Sequence, residues 1–216
     1  MFQATVDAPT TNIQTMKMTL IIIGIILAGG LVFYLSSGGK RSSKNKKQST
    51  ADQDTTNQKV YQTKENAFEG LRDMALKVKP EQLKLSLPIN KTVVYGVIMD
   101  WEISGATVTT VSYQTGDASM YVSSGGGVIG GGQHQNVNSA AKQFVTLAQT
   151  ILDKTAKTET KPLPATDEVK FYLLTNKGVI AGQETMKNFE NRSSSWLQLF
   201  EEGNKVITEL RKTTKQ

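Results

Sequence analysis

The chain contains no cysteine. Disulfides and thiolate-held metals are excluded, which agrees with a reducing compartment. It contains one histidine, His134. With no thiolate and no second imidazole, no transition-metal site and no cofactor are expected. No G-K-[ST] follows any glycine run, so a Walker A phosphate loop is excluded.

A concentrated basic face is also missing from most of the chain. The 25 basic residues outnumber the 19 acidic ones. Six of the basic residues are Lys17, Lys40, Arg41, Lys44, Lys46 and Lys47, and one of the acids is Asp7. Setting these aside leaves 19 basic against 18 acidic residues. The excess charge therefore flanks one short segment. Nucleic acid, which selects a basic patch or stripe, is not an expected partner.

That segment is Met18 to Gly39, an uncharged and largely apolar run between Lys17 and Lys40. Its core reads TLIIIGIILAGGLVFYL. Roughly 20 apolar residues cross about 30 Å of hydrocarbon, and Tyr34 falls where an interfacial aromatic belongs. A cleaved signal peptide has a core of about 7–15 residues and a small-residue cleavage site. This core is longer, and Lys40, Arg41, Lys44, Lys46 and Lys47 follow it directly. The segment reads as an uncleaved transmembrane helix. The flank richer in Lys and Arg stays in the cytoplasm. Residues 1–17 are expected outside, with the remaining mass cytoplasmic at the cell membrane. The basic cluster can also meet anionic headgroups. Gly24 and Ala28, four apart, with Gly29 and Gly30, can let two such helices self-associate.

Ser42 to Lys59 holds almost nothing apolar to bury and reads as a flexible polar tether. The expected organisation is an outer terminus at 1–17, a span at 18–39, a basic juxtamembrane segment and linker at 40–59, and one domain at 60–216.

Within that domain Phe68, Leu71, Ala75 and Val78 mark a helix over Glu65 to Val78. Thr92 to Ile103, Ala106 to Tyr113 and Ala118 to Ser123 read as strands joined by short turns. Val137 to Ile151 has helical spacing, with Asn136 or Asn138 as N-cap. Glu168 to Thr175 and Val179 to Gln183 form a hairpin around Asn176-Lys177-Gly178. A last helix runs from about Ser194 to Lys212. The connections are too short for parallel crossovers. An α+β domain follows, with a five-stranded, mainly antiparallel sheet in the order α-β-β-β-α-β-β-α. That order resembles the profilin-like, roadblock and longin group of small domains. A likeness at fold level implies no function.

Two groups of residues invite a functional reading. Asp100 and Glu102 share one face of the first strand, where a solvated strand end is expected, with Trp101 on the opposite face. The second group is SSGGGVIGGGQHQN, Ser123 to Asn136. Glycines leading into a helix N-terminus present backbone N–H groups to an anion. The candidate ligand contacts are Ser123, Ser124, Gly125, Gly126, Gly127, Gly130, Gly131, Gly132, Gln133 and His134. The alternative is that these glycines allow a tight or bulged path, or close packing on Trp101 or Trp196. Gly125, Gly127 and Gly130 match G-x-G-x-x-G, but no βαβ unit surrounds them.

MYVSSGGGVIGGGQH, Met120 to His134, with FYLLT at Phe171 to Thr175 and VITELR at Val206 to Arg211, is similar to a family of bacterial proteins of unassigned function. The resemblance implies a bacterial source and a defined role for the glycine block.

The resulting expectation is a single-pass membrane protein whose cytoplasmic domain recruits a protein partner or senses a small anionic ligand. No catalytic residue is assigned. The alternatives are a small tethered hydrolase or transferase using the glycine loop and His134, and a structural subunit of a bacterial secretion or defence complex.

Overall fold

The computed structural model describes residues 64–214. The chain divides into two units, Met1–Gln58 and Lys59–Gln216, and every described residue belongs to the second. The expected span at 18–39 and tether at 40–59 lie outside the described residues. Among the described residues no helix is long and apolar enough to cross a membrane.

The strands are β1 Val94–Ile103, β2 Ala106–Tyr113, β3 Ala118–Val122, β4 Gly127–Val128, β5 Ala156–Lys157, β6 Glu168–Thr175 and β7 Gly178–Thr185. They form one sheet in the order β4-β3-β2-β1-β6-β7-β5, and every neighbouring pair is antiparallel. The helices are α1 Lys64–Lys77, α2 Gln135–Ala148, α3 Met186–Glu190 and α4 Leu197–Thr213. The domain is α+β.

The sheet has seven strands, where sequence periodicity predicts five. The extra two, β4 and β5, are two-residue edge strands. Two residues cannot display a period of two, and edge pairing uses backbone groups that any sequence carries. Two further corrections concern helices. The short α3 precedes α4, which starts at Leu197. The N-cap of α2 is His134, without a side-chain capping bond. Asn138 lies inside α2 and donates instead to the carbonyls of Thr115 and Gly132, at 3.3 and 3.2 Å.

Helices cover both faces of the sheet, so the central strand is buried almost throughout. On one face α1 lays Phe68, Ala75 and Leu76 over Tyr95, Ile98, Val111, Tyr113, Tyr121, Tyr172 and Leu174. A register shift between Val94 and Gly96 lets Tyr95 join Ile98 on this face. On the other face Trp101 meets Phe200 edge-on with centroids 5.0 Å apart. Phe200 stacks on Phe189, and Trp196 stacks on Phe171. Gly203 of α4 lies against Met99 and Phe144. Burying each such large side chain contributes about 1.5–3 kcal/mol.

Candidate functional site

The glycine block divides between opposite ends of the sheet. Its first part closes the β3–β4 hairpin. Ser123 donates its backbone N–H to Thr107 O at 2.9 Å, and Ser123 Oγ accepts the Thr107 N–H at 2.8 Å. Gly125 N–H donates to Val122 O at 2.9 Å, and Val122 N–H to Gly126 O at 3.1 Å. Gly125 and Gly126 have φ of 110° and 87°, in the left-handed region that favours glycine. Ser124, Gly126 and Gly127 are exposed.

The second part lies beyond the other end of β2, beside the Gln114–Asp117 turn. Gly130 N–H donates to Ser119 Oγ at 3.1 Å. Gly132 N–H donates to Asp117 Oδ1 at 3.2 Å, which also accepts the Ala118 N–H at 3.1 Å. His134 N–H donates to Gly131 O at 3.1 Å. Gln133 and His134 are exposed. The two parts stand roughly 20 Å apart, the length of six strand residues at ~3.4 Å each. The fold therefore does not bring Ser123 and Ser124 together with Gly132, Gln133 and His134.

Packing explains several of the glycines. A Cβ at Gly127 would lie 2.3 Å from Met120 O, a backbone atom that cannot swing away. A Cβ at Gly131 would lie 2.4 Å from Leu210 Cδ2, and one at Gly132 would lie 2.8 Å from Asp117 Cα. The tight contacts are with Met120, Leu210 and Asp117, not with Trp101 or Trp196. The glycine beneath Trp196 is Gly182, where a Cβ would lie 2.2 Å from the indole.

The chain's own carboxylate already occupies part of the cradle, because Asp117 takes the Gly132 amide. A second anion at that amide would meet like charge. Ile129 projects from the middle of the block, 67 % exposed. Apolar contact is therefore available there.

A second polar group joins Asp100, one of the two strand carboxylates, to Arg72 and Thr109, which belong to no motif in the sequence. Asp100 is fully buried, where a solvated strand end was expected. From α1, Arg72 donates Nε–H and Nη2–H to Asp100 Oδ2 at 2.9 and 2.6 Å. Thr109 Oγ1 donates to Asp100 Oδ1 at 2.5 Å. The guanidinium lies 5.4 Å from the Tyr172 ring centroid. Burial pushes the Asp100 carboxyl up, against Arg72 and Thr109, which pull it down. Burial lowers the Arg72 guanidinium, and Asp100 more than offsets this, so it stands above its usual value. Three donors converge on the one Asp100 carboxyl, and burial still outweighs them, so it stands above its usual value. Glu102 has a different role, accepting the Gly105 and Asp167 N–H groups at 2.6 and 2.8 Å. A legible signal was available: Asp100 interrupts an apolar strand, and Arg72 sits four after Phe68 on the apolar helix face.

Among the described residues no cluster of three His, Asp or Glu is arranged to hold a metal ion. Comparison with family models, with curated proteins and with solved structures finds no match.

Proposed function

We propose that the protein is a membrane-anchored adaptor whose cytoplasmic domain recruits a protein partner. The observation that carries this is the uncharged Met18 to Gly39 run with five basic residues within eight positions behind it. The partner is preferred over a small anion because Asp117 already takes the Gly132 amide, while Ile129 is held out in water. An exposed apolar side chain can seat in a pocket of a protein partner.

Two measurements test the two halves. A reporter active only in the cytoplasm, fused after Gln216, is expected to be active, with external protease removing only the first residues. External cleavage of the large domain reverses the orientation. A photo-crosslinking residue at position 129 is expected to give one discrete adduct with another protein in cells, and no adduct there removes Ile129 from the interface.

A further inference from the structure

We infer that the loop at Pro88 to Lys91 is a second membrane contact, an isoleucine finger set among lysines that docks the domain onto anionic lipid. This deepens the membrane-anchored reading and rests on it.

The inference starts from an interrupted pattern. Leu83, Leu85 and Leu87 alternate into the cluster beneath α1. Ile89 is next in that alternation, yet it is 86 % exposed, more than any other large apolar side chain described. The fold turns it outward and fixes it there. Asn176 Nδ2 donates to Pro88 O at 2.6 Å and to Lys91 O at 2.9 Å, and Asn176 Oδ1 accepts the Val93 N–H at 2.9 Å. Lys177 Nζ donates to Ile89 O at 2.6 Å. One β6–β7 turn thus braces the loop on both sides of the isoleucine. A finger braced this way loses little conformational freedom when it docks.

Positive charge predominates along the adjoining chain. From Lys77 to Val93 the chain carries Lys77, Lys79, Lys84 and Lys91 against Glu81 alone. Lys77 is paired with Asp73 at 2.6 Å, and Lys177 adds a further cation. Past α2, Asp153 and Lys154 offset each other. An apolar tip among lysines matches an anionic bilayer surface, where acyl chains accept the isoleucine and headgroups attract the ammonium groups. Reach permits it. The chain between the apolar run and α1 spans at most ~80 Å fully extended, against ~21 Å for α1.

The absence of cysteine allows single-cysteine labelling of the full chain. Ile89→Cys, Ser124→Cys and Ala28→Cys are each labelled with a fluorophore and reconstituted in nanodiscs carrying a nitroxide lipid. The discs are of phosphatidylcholine alone or with phosphatidylserine. The expected result is quenching at position 89 only with phosphatidylserine, and none at 124, which lies at the other end of the sheet. Replacing Lys84 or Lys91 by Gln should shift the docking equilibrium by roughly fivefold each. No quenching at 89, or equal quenching at 89 and 124, overturns the inference and points to a protein acceptor for Ile89. Quenching at 28 reports the span separately. If position 28 stays aqueous, the anchor reading fails. The 89 label is then read with the same chain added to phosphatidylserine vesicles, where quenching retains the lipid contact and its absence removes it.

Discussion

Arg72 and Asp100 carry the sharpest consequence at the scale of single residues. A fully buried carboxylate persists only while its donors do. Arg72→Met leaves that charge without its main partner, and the expected cost is about 3–5 kcal/mol, read as a lower urea midpoint. Replacing both residues, Arg72→Met with Asp100→Leu, removes the uncompensated charge. The double variant should recover most of the loss, since a buried pair is often replaceable by apolar residues of similar volume. A double variant as unstable as Arg72→Met alone would show that the loss comes from packing and not from charge. The pair was legible only in part. Each residue sits visibly out of pattern, but 28 positions separate them, and no periodicity reports a partner at that distance.

The β3–β4 hairpin and the lead into α2 show at the scale of elements why one glycine block needs glycine for two reasons. At Gly126 the surroundings are open, and only its φ of 87° restricts a side chain. Gly126→Ala should cost about 1–2 kcal/mol. At Gly127 the obstacle is backbone, Met120 O at 2.3 Å. Gly127→Val should cost about 3 kcal/mol and separate β4 from β3, seen as faster amide exchange at Tyr121 and Met120. Equal losses at the two positions would contradict the packing account. The elements themselves were largely legible. β2 and β6 fall on their expected bounds because apolar runs and turn residues are local information. The edge strands β4 and β5 were not, because their pairing depends on which backbone lies alongside.

The whole domain joins two buried layers on one sheet, and the layer beneath α1 is rich in tyrosine. Burial raises Tyr95, Tyr113, Tyr121 and Tyr172 above their usual value, and nearby acidic groups add to each: Glu81 to Tyr95, Asp117 to Tyr113 and Tyr121, and Asp100 to Tyr172. The unfolded chain ionises at about pH 10, below the folded protein. The stabilisation is therefore fully present below about pH 10 and lost as pH rises beyond it. Thermal midpoints should hold to about pH 10 and then fall, with phenolate absorbance appearing together with unfolding. Phenolate appearing in the native state near pH 10 would show that this layer is open to water. The sequence by itself determined the class of fold, the hairpin order and the segregation of charge beside an apolar run, because propensity, turn chemistry and hydropathy act between near neighbours. Only the tertiary structure decided that the glycine block is split between two ends of the sheet, that Asp100 is buried under Arg72, and that Ile89 faces water while Leu87 does not. Each of those depends on contacts between residues distant in the chain, and such contacts exist only once the sheet has closed.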